Sequence, residues 1–354
     1  MRQKHANTLL STLAAGCMLL CGGCSAQRTS GQEKEVSVMQ FNVWQEGTMV
    51  EGGYEAIADE IARLKPTFVT LSEVRNYHNT RFCDRITESL RQRGLTYHSF
   101  FSDDTGLLSS LPLTDSTTVF PLNNDHGSIY KLITEVGGQR TAVYTAHLDY
   151  LNDTYYEVRG YDGNNWSRME APLTDEKEIL RRNDLSMRDE AITNFLLDAQ
   201  SEVENGSLIF LGGDFNEPSF ADWTEATRDS ADHQGITVNW PCTARLHEAG
   251  FADAYRTRHP NPVTHPGYTY PADNPVVPVN KLAWAPQADE RERIDFIFFY
   301  PRKGLTLKEA VIVGPNGCIR RGQRAPETSQ DSILAPAATW PSDHKAVMAT
   351  FSLK

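Results

Sequence analysis

Two periods of hydrophobicity alternate along this chain. Apolar runs of four to eight residues, bounded by turn formers, predict strands at 36–44 (VSVMQFNVW), 67–74 (TFVTLSEV), 97–101, 106–110, 129–136 and 140–148 (RTAVYTAHL). The same signal returns at 207–215 (SLIFLGGDF), 294–300 (IDFIFFY), 307–313 and 346–353. Helical spacing places Ile57, Ile61 and Leu64 on one face of 54–64, and Ile192, Phe195, Leu196 and Ala199 on one face of 189–203. FCDRITESLRQRG (82–94) also reads as a helix, closed by Gly94. Residues 149–175 are irregular and rich in Tyr, Asp, Gly and Asn, and 256–293 read as a long loop broken by seven prolines. Strand-rich halves with a few helices between them predict an α/β or α+β layered domain. No strong linker divides residues 36–354, so they read as one domain rather than two split near 205.

The N-terminus follows another logic. Arg2 and Lys4 precede an apolar stretch from about Thr8 to Leu20, which ends in CGGCSA. A charged start, a short apolar centre and small residues before a break describe an export signal. The stretch falls short of the roughly 20 apolar residues that cross a bilayer. A cysteine after two glycines resembles a bacterial lipoprotein signal, with residues 1–23 removed, Cys24 lipidated and 24–35 a polar linker. Cys17 in LAAGC ranks second, because the apolar run continues past it. The expectation is an exported protein anchored to a membrane by lipid, on the periplasmic side.

Charge narrows the partners. The whole chain carries a formal charge of −12. Loss of Arg2 and Lys4 leaves 32 basic against 46 acidic residues, a balance of −14. Such a chain binds polyanions poorly, which disfavours long DNA as substrate. Nothing in the sequence implies a protein partner. Cys83, Cys242 and Cys318 remain beyond Cys24; two could form a bridge in an oxidising compartment, or all three could be buried thiols.

Residues that chemistry uses recur where the apolar strands end. Asn42 follows VMQF, Glu73 follows TFVTLS, His147 follows AVYTA, and Asp214 and Asn216 follow IFLGG. Asp295 sits inside ERIDFIFF, and Asp343 and His344 inside WPSDHKAVMATF. In an extended chain Asp214 and Asn216 face one side and Phe215 the other. Phosphoester hydrolysis would use this set. A hard cation such as magnesium, with manganese the alternative, wants oxygen ligands, which Glu73, Asp343 and Asn42 offer. Asp214 can orient or deprotonate water. Asn216, His147 and His344 can meet charge on phosphoryl oxygens, with Asp295 behind His344.

In this order the motifs QFNVW, TLSEV, TAHLD, GGDFNEP, ERIDFIF and PSDHKAV resemble those of the endonuclease/exonuclease/phosphatase superfamily over most of residues 36–354. The resemblance implies a four-layer sandwich, two mixed β-sheets packed face to face with helices outside, and a site where strands terminate. It implies metal-assisted attack of water on a phosphodiester or phosphomonoester. It makes Glu73 the main metal ligand and His147 a catalytic-site histidine. Two departures stand out: Ser72 replaces the family's usual glutamine before the glutamate, and the interval from His147 to Asp214 is long.

A small phosphoester or a lipid headgroup fits the charge better than long DNA. A sphingomyelinase-like lipid phosphodiesterase and a secreted nuclease are the alternative substrate classes; a non-catalytic surface glycan- or nutrient-binding lipoprotein is the alternative of another kind. Within the long interval, TYYEVRGYDGNNW (154–166) starts near His147, so its Arg159 is the expected contact for substrate phosphate, with Tyr155, Tyr156, Tyr161 and Trp166 as stacking faces.

Overall fold

Strands that read as apolar on both faces are buried on both faces. A computed structural model describes residues 33–124 and 126–354. The signal segment, Cys24 and most of the linker lie outside the described residues. In chain order the strands are β1 (Lys34–Asn42), β2 (Phe68–Val74), β3 (His98–Ser99), β4 (Asp104–Ser109), β5 (Asp115–Phe120), β6 (Gly127–Val136), β7 (Gln139–Leu148) and β8 (Leu208–Asp214). β9 (Ala252–Asp253), β10 (Asp295–Phe299), β11 (Leu305–Val313), β12 (Gly317–Arg320), β13 (Gln323–Pro326), β14 (Ile333–Leu334) and β15 (Ala346–Leu353) follow. The helices are α1 (Gly53–Leu64), α2 (Phe82–Gln92), α3 (Thr154–Val158), α4 (Glu176–Asn183), α5 (Arg188–Glu204), α6 (Pro241–Glu248) and α7 (Ala254–Arg258).

One sheet has the order β14-β11-β15-β1-β2-β4-β3 and the other β5-β6-β7-β8-β10-β9, with β12 and β13 as a separate hairpin. Both sheets are mixed. Three apolar layers define the sandwich. Val38, Phe68, Leu107, Val143, Phe210 and Phe351 pack between the sheets. Ile57, Ile61 and Ile86 of α1 and α2 cover the outside of the first sheet, and Ile192 and Phe195 of α5 cover the second. This is the expected four-layer architecture of two large mixed sheets flanked by helices. Among the described residues no helix is long and apolar enough to cross a membrane.

Some elements escaped the sequence pattern. β1 begins at Lys34, inside the stretch assigned to the linker. β5 is an edge strand with four of its six residues exposed, so it carries no apolar signature. α4 is a polar helix capped by the Asp175 side chain, which accepts from Glu178 N. The cysteines resolve to the simpler alternative: Cys83, Cys242 and Cys318 are buried free thiols.

The two glycines of LGGDF are not a turn. The strand β8 runs straight through them to Asp214. A Cβ on Gly212 would collide with Thr70 Oγ1 of the facing sheet, and one on Gly213 would lie 2.7 Å from both Cβ and O of Ala146. Glycine is required here for close approach, not for a left-handed conformation. Gly212→Ala is therefore expected to cost about 1–3 kcal/mol by overpacking. Urea denaturation should register it as a lower midpoint, and Thr70→Ala in the same chain should recover part of the loss.

Candidate active site

Topology gathers the polar strand ends. β1 and β2 run parallel and end together, with Asn42 paired to Ser72 in register. β4 is antiparallel to β2, so it starts at that same edge, and Asp104 pairs with Val74. In the second sheet β7 and β8 run parallel while β10 opposes β8. His147, Asp214 and Asp295 therefore fall on one row. The turn before β15 delivers Asp343 and His344 to the same end. Parallel strands finish where antiparallel strands begin, so one edge receives all of these residues.

The sheets then bond to each other through these side chains. Asn42 of the first sheet donates from Nδ2 to Asp214 Oδ2 of the second at 2.8 Å. His147 of the second sheet meets Asp104 Oδ2 of the first through Nδ1 at 2.7 Å. His344, beside the first sheet, meets Asp295 Oδ2 of the second through Nδ1 at 2.9 Å. A carboxylate only accepts, so each Nδ1 carries a proton. Each histidine is thus oriented by a carboxylate from the opposite sheet. Asp214 Oδ2 lies 4.0 Å from His147 Nε2 and 3.8 Å from His344 Nδ1. Its Oδ1 accepts the Asn216 backbone N–H at 3.0 Å, and the Asn216 amide reaches Leu148 O at 3.0 Å and approaches His147 Nε2 at 3.3 Å. Phe215 points the other way, into the apolar layer under α5, as alternation predicts.

Burial sets the charges. It opposes protonation of His147, but the Asp104 charge and hydrogen bond outweigh it, with Asp214 adding to them, and lift the imidazole to about 9. Burial likewise opposes protonation of His344, and Asp295 and Asp214 overcome it to reach about 10. Asp214 is pushed up, first by burial and then by Asp295. Asp343 rises to about 7 through burial, with the Glu73 charge adding to it against His344.

Glu73 reaches the site through a β-bulge. The register of β2 against β4 slips between Ser72 and Val74, and Glu73 sits at φ 65°. Such a conformation is rare for a residue with a side chain, and bulges of this kind re-aim one residue out of the alternation. Glu73 accepts from Asn42 Nδ2 at 3.1 Å and from Gln45 N at 3.0 Å. Asn42 Oδ1 accepts the Trp44 backbone N–H at 2.9 Å.

Ser72 is not a weak substitute for a site amide. It points between the sheets, donates to Ala146 O at 3.1 Å and accepts from Gln40 Nε2 and Asp214 N at 3.0 and 3.2 Å. Gln40 in turn donates to Asp295 Oδ1 at 3.3 Å. Sequence reasoning missed Gln40 and also Asp104. Asp104 was legible in principle, as an acid at the start of a strand antiparallel to TLSEV. It lies below its ordinary range because His147 and Arg75 together outweigh its burial.

Arg159 is a correction. Its side chain is fully buried and does not line the cleft. The guanidinium donates to Glu292 Oε1 at 2.5 Å, Asp289 O at 2.8 Å and Tyr155 O at 3.0 Å. A fork engaged in three directions inside the protein ties α3 to the segment before β10 and contacts no substrate. Tyr161 is likewise packed in the apolar cluster beneath, whereas Tyr155, Tyr156 and Trp166 do line the cleft.

The cleft above these residues holds about 320 Å³. Glu73, His147, Asp214, Asn216, Asp343 and His344 line it together with the aromatic residues Trp44, Tyr150, Trp166, Tyr270 and Trp284. The loop 256–293 also straps the catalytic turn: Ala272 N donates to Asp343 O at 2.6 Å and Lys345 N to Thr269 O at 2.7 Å.

Residues 39–344 match the profile of the Endonuclease/Exonuclease/phosphatase family. An uncharacterized protein of Caenorhabditis elegans is 29% identical over 344 residues, covering 95% of this chain and 97% of that protein. The human nocturnin catalytic domain, solved with a bound sulfate anion, superimposes with a TM-score of 0.51 at 16% identity, over 90% of this chain and 95% of that one. D. rerio TDP2 in complex with a single-strand DNA product gives 0.48 at 16% identity, over 90% and 98%. The chain belongs to the endonuclease/exonuclease/phosphatase family, whose members hydrolyse phosphoesters and typically depend on a divalent metal.

The residues present fit such a metal. Asp343 Oδ1 is buried without a hydrogen-bond partner among the described residues, in a turn facing Glu73. A buried carboxylate oxygen without a donor, beside a second carboxylate, suits a hard cation. Asp214, Asp295 and His344 also come within 4.8 Å of one another. There the His344 proton already occupies the space between the carboxylates, so that trio holds a proton.

Two outcomes follow from this geometry. Removing Arg159 leaves the buried Glu292 with only the Trp223 indole N–H and the His233 ring beside it, so Arg159→Ala should destabilise the fold by up to about 3–5 kcal/mol in chemical denaturation. For His147 the folded value of about 9 exceeds its ordinary 6.5, so its stabilisation is complete below pH 6.5 and is lost as pH rises through 9. Asp104→Asn should lower the His147 titration by at least about one unit in NMR and flatten stability across that window.

Proposed function

We propose that this protein hydrolyses a phosphodiester or phosphomonoester by direct attack of water, with magnesium, or manganese in its place, as cofactor. The observation that carries the reading is the position of Asp214. It lies between two buried histidines, each held protonated by its own carboxylate, and next to a carboxylate pair with an unpartnered oxygen. Glu73 and Asp343 would hold the cation, with Asn42 adjoining them, and the cation would polarise a phosphoryl oxygen and offset its charge.

The rest follows from the chain's own groups. Asp214 is fixed by Asn42 and by the Asn216 backbone, so it can hold a water in one orientation. Burial raises it towards neutrality, which makes it a better base than an exposed aspartate. The His147 and His344 imidazolium rings and the Asn216 amide form a preorganised set of donors lining the cleft, where phosphoryl charge would develop. Their orientation costs nothing at the moment of reaction, because Asp104, Asp295 and Leu148 O already hold them.

The cleft is compact and rich in carboxylates, which supports a small phosphoester or a headgroup over long nucleic acid. We also propose export as a lipoprotein on the strength of the sequence around Cys24; Cys24→Ala should move the protein from the membrane fraction to the soluble one.

Turnover decides the catalytic reading. Nucleic acids, lipid diesters, sugar phosphates and an aryl phosphodiester are incubated with magnesium or with chelator. Hydrolysis of at least one class is expected with magnesium and none with chelator. Glu73→Gln should lower the rate by orders of magnitude, with partial recovery in excess magnesium. Asp214→Asn should lose kcat by about 10²–10⁴ with little change in KM. Magnesium-dependent hydrolysis that survives both substitutions would refute these assignments, and a protein that hydrolyses none of the panel is a binding module.

A further inference from the structure

Tyr150, Trp166 and Trp284 line the cleft but take no part in the phosphoryl chemistry, yet they are fixed in place. Trp166 arrives from the segment 154–166 and Trp284 from the loop 256–293, two excursions far apart in sequence. Their ring centroids lie 4.9 Å apart, and Tyr150 stacks parallel to Trp166 at 6.4 Å with an interplanar angle of 6°. Trp284 is half exposed, so the protein leaves a large apolar face open at the mouth. Both tryptophans are held in place. Trp284 N donates to the buried Glu290 at 3.0 Å, and Trp166 N donates to Asp162 O at 2.9 Å with Trp166 itself at φ 54°. The Trp166 indole N–H has no acceptor among the described residues.

Asp153 lies in the same cleft. It is buried, lines the cavity, and forms no side-chain hydrogen bond as the N-terminal cap of α3. Its backbone is pinned, with Asp153 N donating to Gly163 O at 2.9 Å. Its carboxyl group has no role in the phosphoryl chemistry, and Arg188 and Arg159 are the positive charges that act on it. Burial, opposed by Arg188, raises it well above the usual range, so it can give as well as accept a hydrogen bond. Besides its histidines, the cleft's cationic lining is Arg75, which Asp104 engages at 2.5 Å. A strand of phosphates would find little to neutralise it here.

We propose that the cleft takes a compact phosphoester carrying a hydroxylated ring, a sugar or cyclitol, whose face packs on Trp166 and Trp284 and whose hydroxyl is read by Asp153. The inference rests on the hydrolase reading for the phosphoryl end alone. The ring end stands on aromatic faces, which bury the C–H face of a ring, and on a buried polar group that rejects ligands unable to pair with it. The ring phosphate could come free or as a lipid headgroup.

Calorimetric titration of the full chain separates the possibilities. Binding is read with magnesium in the Asp214→Asn variant, so that no probe is consumed and the result does not depend on turnover. The probes are glucose 1-phosphate, myo-inositol 1-phosphate, phenyl phosphate, ethyl phosphate and a decathymidylate. The two hydroxylated rings should bind about tenfold or more tightly than ethyl phosphate, the scale of one good aromatic contact. Trp284→Ala and Trp166→Ala should erase most of that preference. Asp153→Leu, which can neither give nor accept a hydrogen bond, should weaken glucose 1-phosphate while leaving phenyl phosphate unchanged; if this variant does not fold, the tryptophan variants decide. Vesicles of phosphatidylinositol against phosphatidylglycerol then assign the source, since a headgroup site retains the former in sedimentation. Ethyl phosphate or decathymidylate binding as tightly as the ring probes, or a ring preference intact in both tryptophan variants, overturns the proposal.

Discussion

The site depends on how closely two sheets approach at one edge. At Gly212 the second sheet comes so near Thr70 of the first that no side chain fits between them. Only that spacing lets Asn42 reach Asp214, Asp104 reach His147 and Asp295 reach His344 across the gap. Deeper in, the sheets are held apart by Val, Leu and Phe. At the edge they are joined by Gln40, Thr70 and Ser72, which are buried and hydrogen-bonded to one another or to the facing sheet. The interface therefore changes from apolar to polar along the strands, and the chemistry begins where the apolar spacer ends. The pairing is also reciprocal: each of these three contacts takes one partner from either side of the sandwich, so neither sheet contains the site by itself.

Charge is managed by the same arrangement. A buried imidazole or carboxylate alone would be neutralised by burial. Here each histidine receives a carboxylate from the opposite sheet, and the couplings raise both rings above the ordinary imidazole range despite their burial. The cost of burying Asp104 is further offset by Arg75. Asp343 Oδ1 has no hydrogen-bond donor among the described residues, which sets it apart from the paired carboxylates. Strain collects nearby, with Trp44, Gln45, Glu46 and Glu73 all at positive φ. Such conformations persist where the surroundings over-determine them. Here they direct the Trp44 and Gln45 N–H groups onto Asn42 and Glu73.

The two irregular stretches do different work from the sheets. Residues 149–175 and 256–293 share a cluster of their own, in which Tyr155, Tyr156 and Tyr270 pack with Trp223 and Trp240. Arg159, with Glu292, closes this cluster by a buried ion pair rather than facing substrate. Glu290 fastens the Trp284 turn to Tyr156, and Thr269 and Ala272 fasten the Asp343–His344 turn. Long loops are thus packed as a second small core, which explains how segments without regular structure can present a fixed aromatic wall.

Much of this was legible in the sequence. Apolar period marked ten strands and three helices, because a buried strand or an amphipathic helix repeats its pattern locally. The polar residues at strand ends, Asn42, Glu73, His147, Asp214, Asn216, Asp295, Asp343 and His344, stood out against apolar runs, and all of them converge. β5 and α4 did not stand out, since an exposed edge strand and a polar surface helix have no buried face to declare them. Arg159 was misplaced because sequence proximity to His147 says where a chain starts, not which way a guanidinium turns; Glu292, 133 residues away, decided that. Asp104, Gln40 and the stacking of Trp166 on Trp284 were also hidden, for the same reason. Local periodicity is written in neighbouring residues and the sequence by itself determines it. Which carboxylate faces which histidine, and which loops share a wall, is set by the packing of two sheets across tens to hundreds of residues, and only the tertiary structure decides it.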